Sequence, residues 1–212
     1  MAEESPFVWL SEPPSWSESD GLLTVVTGDK TDFWRETHYG FIRDDGHLRH
    51  REVVGDFTAT LEFSGAYEEL YDQAGMMLRL DERNWIKAGV EFVGGRQMLS
   101  AVVTRDFSDW STMPVPGKPE WLKLRCTRIG SAIRIEWSDG GDFSLLRLAY
   151  LPAKDPILVG PMCCSPQRAG FSAAFRDFNV GPPVAEALHQ GRFPAPGPMV
   201  PRIYHAVLAR AD

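Results

Sequence analysis

The clearest pattern in the chain is an alternation of apolar residues with other residues across positions 73–93. Successive side chains of a strand point to opposite faces, so this pattern predicts two strands, joined into a β-hairpin by a polar turn at residues 81–84. The apolar positions are Met76, Leu78, Leu80, Ile86, Ala88, Val90 and Phe92. The alternate positions include Arg79, Trp85, Lys87 and Glu91. One face of the hairpin is therefore expected to lie on a core, and the other to be free to contact a ligand.

Similar strand patterns recur along the rest of the chain. Strands are predicted at residues 22–27, 55–63, 97–105, 121–128, 132–138, 143–150, 157–164 and 170–180. Residues 31–40 are dense in aromatic and polar side chains without a clear period, which indicates a loop or a short strand, and residues 106–111 indicate a polar-aromatic turn. About ten to twelve short strands, with turns roughly every 8–12 residues and almost no helical periodicity, favour an antiparallel β-sandwich or jelly roll.

The composition supports a folded domain and narrows the classes of partner. The chain has 212 residues, of which 43% are hydrophobic and 11% aromatic, enough for a sizeable core. Its net charge is −7, and no cluster of lysine and arginine stands out in the sequence. An acidic chain of this kind is a poor binder of a phosphate backbone, so no nucleic-acid partner is expected.

The absence of a recognisable targeting signal and the number of cysteines favour a cytoplasmic protein without a membrane partner. The N-terminus lacks the basic and apolar regions of a signal peptide, and no apolar run approaches the ~20 residues of a membrane-spanning helix. The three cysteines are an odd number, and two of them, Cys163 and Cys164, are adjacent, which makes reduced thiols the simplest interpretation. The histidines are scattered and no C-x-x-C motif occurs, so neither a metal nor another cofactor is predicted.

The composition changes after residues 181–183, where a Gly-Pro-Pro sequence ends the last predicted strand. Residues 1–183 are therefore predicted to form the sandwich domain. Residues 184–212 contain four prolines and are predicted to form a C-terminal appendage that either packs as a strap or stays mobile.

Five motifs, in this order along the chain, resemble a known family. They are DFWR at residues 32–35, GFIRDDGH at 40–47, AGMMLR at 74–79, WIKAGVE at 85–91 and VVTRDFSDW at 102–110. The chain is similar, over about residues 5–181, to a domain-of-unknown-function family with a concanavalin A-like lectin/glucanase fold, whose fungal members carry the name "regulation of enolase". The resemblance implies an all-β jelly-roll sandwich of two antiparallel sheets with a concave sheet. It also implies a role in the regulation of glycolytic metabolism through enolase, and it supplies no reaction.

The first candidate site is the polar face of the hairpin. It carries Arg79, Trp85, Lys87 and Glu91. An aromatic platform with a few convergent polar groups suits a small ligand, and the concave sheet that the resemblance implies would present it to a carbohydrate-like metabolite. The alternative is a solvated sheet face whose opposite charges form cross-strand pairs.

The second candidate site is a rim of residues from neighbouring loops. Its members are Trp34, Arg35, Arg105 and Trp110. Loops carry function because a rigid scaffold positions them while they remain free to vary. The alternative is a structural turn in which the Asp and Ser side chains cap local N–H groups and Trp110 covers the edge of the sandwich.

Catalysis is the less favoured function. Glycoside hydrolysis needs two carboxylates that flank one bond, ~5–5.5 Å apart for retention, and Glu91 has no second acid at position i+2 on its strand. We therefore expect a non-catalytic binding or regulatory protein whose ligand is a carbohydrate-like metabolite or a protein partner. The alternative is a glycan-active enzyme that uses Glu91 together with a second carboxylate from a loop.

Overall fold

The computed structural model describes residues 5–117 and 119–184. These residues form sixteen β-strands. The strands are β1 (Val8–Leu10), β2 (Ser15–Ser19), β3 (Leu22–Val26), β4 (Phe33–Arg35), β5 (Ile42–Asp44), β6 (His47–Val53), β7 (Phe57–Gly65), β8 (Gln73–Arg79), β9 (Asn84–Val93), β10 (Arg96–Arg105), β11 (Phe107–Pro114), β12 (Leu122–Ile129), β13 (Ala132–Ser138), β14 (Ser144–Tyr150), β15 (Ile157–Cys164) and β16 (Ser172–Gly181).

Fourteen of the strands form two seven-stranded antiparallel sheets that pack face to face. The front sheet has the order β1-β6-β15-β8-β9-β10-β11, and the back sheet has the order β14-β13-β12-β7-β16-β3-β2. The two remaining strands, β4 and β5, pair only with each other as a small separate hairpin. The predicted antiparallel sandwich is therefore confirmed.

The side chains of the β8–β9 hairpin alternate between the core and the outer face of the front sheet, as predicted. Leu78 pairs with Ile86, and both side chains are fully buried between the sheets, where they meet residues of the back sheet such as Phe63 and Ile135. The alternate residues face away from that core, because the pleat of a strand sends successive side chains to opposite sides. They define the outer face of the front sheet, on which the site is built.

The β4–β5 hairpin packs on part of this outer face. Phe33 and Trp34 join a second hydrophobic cluster with Met77, Trp85 and Val102 of the front sheet. This cluster covers the outer face near the β8–β9 turn, and a cleft opens beside it. The hairpin therefore decides how much of the polar face predicted from the sequence can meet a ligand.

Three stretches differ from the predicted pattern. Residues 106–111, predicted as a turn, belong mostly to β11, and only Asp106 adopts a turn conformation, with a φ of 62°. β11 pairs along its whole length with β10, so backbone hydrogen bonds to a neighbouring strand, rather than a hydrophobic period, make it a strand. β2 and β6 are also strands without a clear pattern, because β2 is exposed throughout and β6 consists mostly of polar and charged residues.

The predicted appendage lies outside the described residues except for Val184. The N–H of Val184 donates to Thr58 Oγ1 at 2.8 Å, and its carbonyl accepts from Arg134 Nη2 at 3.2 Å. Over the part of the chain that the structure describes, no helix has the length and apolar character needed to cross a membrane.

Candidate functional site

A cleft of about 530 Å³ opens on the outer face of the front sheet. It lies between the β4–β5 hairpin, the loop that joins β7 to β8, and the edge strand β11. Its lining consists of Asp32, Trp34, Tyr39, Phe41, Arg43, Tyr71, Gln73, Lys87, Glu91, Trp110, Pro166 and Gln167. The volume falls within the ~300–1,000 Å³ that is typical of small-ligand sites.

The floor of the cleft is a buried polar network around Lys87. The Lys87 ammonium donates to Gln73 Oε1 at 2.6 Å and to Asp32 Oδ1 at 3.2 Å, and it lies 3.8 Å from Glu91 Oε1. β8 and β9 position two of these groups, because Gln73 is paired with Glu91 across the strands and shares the outer face with Lys87. Asp32 reaches the network from the residue before β4.

The electrostatics of the floor keep Lys87 charged and favour a proton on Glu91. Burial lowers the pKa of Lys87, but attraction to Asp32 and Glu91 more than offsets it, so that this pKa lies above its usual value. Burial raises the pKa of Glu91, and the nearby charge of Asp32 adds to the effect, while Lys87 and the polar groups of Ser100 and Trp110 oppose it. Glu91 is therefore the group of the floor that holds a proton more readily than an ordinary glutamate.

The floor brings two carboxylates into one cleft. Asp32 Oδ1 and Glu91 Oε1 lie no more than 7.0 Å apart, the sum of their distances to the shared Lys87 nitrogen. Asp32 is the loop carboxylate that the sequence could not identify, because it lies 59 positions from Glu91 in a stretch without a period. Its only signal is its place at the start of the DFWR motif.

The walls of the cleft are aromatic. Trp34 packs edge-to-face against Tyr39 at 5.6 Å between ring centroids, and Tyr39 stacks on Phe41 at 5.5 Å. Trp110, on β11, also lines the cleft, and its indole N–H donates to Ser100 Oγ at 3.1 Å. Tyr39 and Phe41 are each 44% exposed, so their ring surfaces remain available at the mouth.

A hydrogen bond between two tyrosines links the loops on either side of the mouth. The Tyr39 and Tyr71 hydroxyl oxygens are 2.8 Å apart, which joins the tip of the β4–β5 hairpin to the β7–β8 loop. This hydrogen bond is the largest cause, ahead of burial, that raises the pKa of Tyr71 to about 12. Both tyrosines lie in loops without a period, and the sequence offered no signal for either.

The structure brings four of the eight predicted residues together in the cleft. These are Trp34, Lys87, Glu91 and Trp110. Gln73 also belongs to the floor, and its odd number within the alternating stretch would have placed it on the same face as Glu91. The prediction from strand parity could therefore have been extended to Gln73.

Trp85 and Arg79 require a correction, because the β4–β5 hairpin covers them. Trp85 is fully buried against Phe33, with 6.2 Å between the ring centroids, and cannot serve as an exposed stacking platform. Arg79 forms a bidentate ion pair with Asp44 of β5, at 2.7 and 2.8 Å. Both residues attach the hairpin to the front sheet and lie outside the cleft lining.

Arg35 and Arg105 also lie outside the cleft. Arg35 is buried; its backbone N–H donates to Ser108 Oγ at 2.9 Å, and its Nε donates to the Asp106 carbonyl at 3.1 Å. Arg35 therefore anchors the hairpin to the β10–β11 connection. The Arg105 guanidinium lies over the Tyr150 ring, 5.2 Å from its centroid, in a separate groove at the edge of the sandwich.

Among the residues that the structure describes, no group of three or more His, Cys, Asp or Glu side chains is arranged to hold a metal ion. Cys164 lies beside the floor, but its thiol is fully buried, and burial raises its pKa well above the usual value. A buried thiol of this kind is a poor nucleophile and a poor metal ligand.

The family model described as "Protein of unknown function (DUF1349)" matches residues 9–183. The chain belongs to this family. "Regulation of enolase protein 1" of Saccharomyces cerevisiae (strain ATCC 204508 / S288c) is 45% identical to this DUF1349 chain over 188 residues, which is 88% of this chain and 95% of that protein. The resemblance inferred from the five motifs is therefore confirmed.

Solved structures agree with the fold of this DUF1349 chain. The crystal structure of a functionally unknown protein from Saccharomyces cerevisiae has a TM-score of 0.82 at 44% identity, and the match covers 84% of this chain and 97% of that one. The carbohydrate binding module CBM66 from Bacillus subtilis has a TM-score of 0.52 at 11% identity, over 81% of this chain and 94% of that one. Identity this low carries information on the fold alone. Together with the two-sheet topology, these matches confirm the predicted concanavalin A-like jelly-roll sandwich.

Proposed function

We propose that this protein is a non-catalytic binding protein with a regulatory role, and that its cleft binds a carbohydrate-like metabolite. The observation that carries the proposal is the cleft itself: aromatic walls stand above a buried polar floor, in a volume of about 530 Å³. Aromatic faces suit the C–H faces of a sugar ring, and a few convergent polar groups suit its hydroxyls. The name of the relative "Regulation of enolase protein 1" supports a role in regulation.

The arrangement of the floor favours binding over catalysis. Lys87 lies within 3.8 Å of both carboxylates and holds them in one ion-paired network. A general acid or base must be free to reach the reacting atom of the substrate, and a carboxylate engaged with a buried ammonium is less free to do so. A ligand that meets this floor is held by hydrogen bonds while its covalent bonds stay intact.

A thermal-shift screen of neutral sugars and glycolytic intermediates tests the proposal. A ligand at about 100 times its Kd adds ~2.7 kcal/mol to the free energy of unfolding, which raises the Tm of a chain of this size by roughly 5–10 °C. The variants Tyr39→Ala and Phe41→Ala remove exposed wall residues and should lose that shift. The matched control is Phe107→Ala, which removes an exposed ring outside the cleft and should keep the shift.

A flat response of the wild-type protein across the screen would contradict the metabolite proposal. The exposed apolar side chains at the mouth, Tyr39, Phe41 and Ile42, would then favour a protein partner as the occupant of this region.

A glycan-active enzyme is the second candidate, and one observation favours it. Asp32 and Glu91 lie no more than 7.0 Å apart, and burial raises the pKa of Glu91, as a general acid requires. Retaining glycosidases separate their carboxyl groups by ~5–5.5 Å and inverting ones by ~6.5–9.5 Å. Release of nitrophenol from aryl glycosides by the wild type, lost in Asp32→Asn and in Glu91→Gln, would establish catalysis. No release by the wild type would leave the binding function.

A further inference from the structure

We propose that the cleft selects neutral, polyhydroxylated ligands and discriminates against their phosphate esters, because the cation in its floor is already neutralised by the protein. This inference rests on the proposed function and adds the charge of the ligand to it. The cleft would thus report on a free sugar or polyol, and the phosphorylated form of the same sugar would be excluded.

Lys87 is already engaged by acceptors of the protein. An ammonium group has three donors and no acceptor. Two of its donors are used in hydrogen bonds to Gln73 Oε1 at 2.6 Å and to Asp32 Oδ1 at 3.2 Å, and Glu91 Oε1 lies at ion-pair distance, 3.8 Å away. A phosphate oxygen would therefore have to compete with these buried acceptors for Lys87.

The floor also presents an acceptor of negative charge. A phosphate ester at neutral pH carries acceptor oxygens, and so does the Asp32 carboxylate that pairs with Lys87. Asp32 would therefore repel a phosphate. A sugar hydroxyl can donate to a carboxylate and also accept from a donor, so it fits the same floor in either direction.

Arg43 is the other basic residue in the cleft lining. Its Nη2 donates to the Lys30 carbonyl at 2.5 Å, and its Nη1 lies 3.5 Å from Asp45 Oδ2. The side chain is 41% exposed, and a charge at such a position is screened by water and by salt. Asp45 offsets part of the charge of Arg43, and solvent screens the remainder. Arg43 therefore gives the mouth of the cleft little attraction for an anion.

The test compares each neutral sugar with its own phosphate ester by isothermal titration of the full chain. Suitable pairs are D-glucose with D-glucose 6-phosphate and D-galactose with D-galactose 1-phosphate. For a pair whose neutral member binds, we expect it to bind at least tenfold more tightly than the ester. We also expect the affinity of the neutral sugar to be the same at low and at high salt, since no net ion pair forms with the ligand.

A charge-removing variant tests the cause of the selectivity. Asp32→Asn combined with Glu91→Gln keeps the shapes of both side chains and removes the carboxyl groups that compete with a phosphate for Lys87. We expect the preference to move at least tenfold towards the ester. The matched control is Glu82→Gln combined with Asp109→Asn, two exposed carboxylates outside the cleft lining, which should leave the preference unchanged.

Two results distinguish a failure of the inference on charge from a failure of the proposed function. If the ester binds the wild-type protein as tightly as the neutral sugar or more tightly, the inference on charge is wrong while the proposed carbohydrate site stands. If neither member of any pair binds, the proposed function fails and the inference fails with it. The salt dependence of the wild-type protein decides the matter even if the charge-removing variant does not fold, because binding of an ester that weakens with salt would reveal a free cation in the cleft.

Discussion

Trp85 packs the β4–β5 hairpin against the front sheet. It lies on the outer face of the front sheet, as its place in the alternation requires, yet it is fully buried beneath Phe33 of the β4–β5 hairpin.

His47 is a second buried residue with a specific contact set. The N–H of Gly28 donates to His47 Nε2 at 2.9 Å, so Nδ1 carries the proton and donates to the Ser11 carbonyl at 2.7 Å. Both side chains stabilise the fold through contacts far away in sequence.

Replacing Trp85 should affect stability before it affects any ligand. Removal of a fully buried aromatic side chain costs about 3–5 kcal/mol, from lost apolar burial and the cavity that remains. We expect Trp85→Ala to lower the free energy of unfolding by that amount in denaturant titrations. Phe107→Ala, which removes a ring that is 64% exposed, should change it by less than about 0.5 kcal/mol. A small effect at Trp85 would mean that the hairpin does not pack on the sheet.

Stability should fall as the pH drops below about 6.5, the ordinary pKa of histidine. Burial lowers the pKa of His47 in the folded protein, against weaker opposing effects of the Ser11 carbonyl and Asp45. The unfolded chain therefore takes up its proton first, and the free energy of unfolding decreases until the folded protein is protonated as well.

Denaturant titrations between pH 7 and pH 5 measure this slope. His47→Gln should flatten it, because the titrating group is gone. A remaining slope is expected from His50, whose pKa burial also lowers. An unchanged slope in a His47→Gln/His50→Gln protein would show that other groups carry the pH dependence.

At the scale of elements, the floor of the cleft depends on the register of β8 and β9. Gly75 lies opposite Gly89, and a Cβ atom on either would come within 2.0 Å of a carbonyl oxygen of the partner strand. The two backbones can approach this closely only because both positions lack a side chain. The same register sets Gln73 opposite Glu91 and thereby assembles the acceptors around Lys87.

Gly89→Ala should force these two strands apart. Overpacking of a close contact costs about 1–3 kcal/mol, and we expect a loss of stability in that range together with weaker ligand binding. Gly141→Ala is the control, since a Cβ atom there meets only Asp139 Oδ1 at 3.9 Å. Equal stability of the two variants in thermal unfolding would contradict the close approach.

Asp72 connects the two loops that border the cleft on one side. This buried carboxylate accepts hydrogen bonds from the Glu68 and Glu69 N–H groups, from Ser165 Oγ at 2.7 Å and from Arg168 Nη2 at 2.7 Å. Burial by itself raises its pKa, but these hydrogen bonds more than offset it, so the pKa lies below the usual value. Asp72 is thus ionised and holds the loops through charge-assisted hydrogen bonds.

We expect Asp72→Asn to cost about 1–3 kcal/mol, because it weakens a buried hydrogen-bond network and removes one partner of Arg168. Hydrogen exchange should rise in both loops and leave the strands of the back sheet protected. Glu68→Gln is the matched control, since Glu68 is an exposed partner of the same arginine. Similar exchange in both variants would argue against the role of Asp72 as the connection.

At the scale of the whole molecule, the last two strands of the described chain complete both sheets. β15 inserts between β6 and β8 in the front sheet, and β16 inserts between β7 and β3 in the back sheet. Strands that are far apart in sequence therefore lie side by side. Closure of such long-range pairs is slow, and all-β domains of this kind refold in milliseconds to seconds.

A chain that ends at residue 170 should not fold cooperatively. Without β16, the back sheet would lose the strand between β7 and β3 and expose two long unpaired edges. We expect no sigmoidal unfolding transition in circular dichroism and a tendency to aggregate. A sharp transition with native-like protection of β7 would show that the two halves of the back sheet do not depend on β16.

Local alternation alone determined which residues share a face of the front sheet, because the two-residue period of a strand acts between immediate neighbours. It identified Lys87 and Glu91 as one polar face and, with the turn signals and the family motifs, the jelly-roll sandwich. Tertiary structure decided which part of that face stays open. The β4–β5 hairpin buries Trp85 and brings Asp32 to Lys87, and loop contacts join Tyr39 to Tyr71. These contacts link stretches without a period across tens of residues, so no local pattern records them.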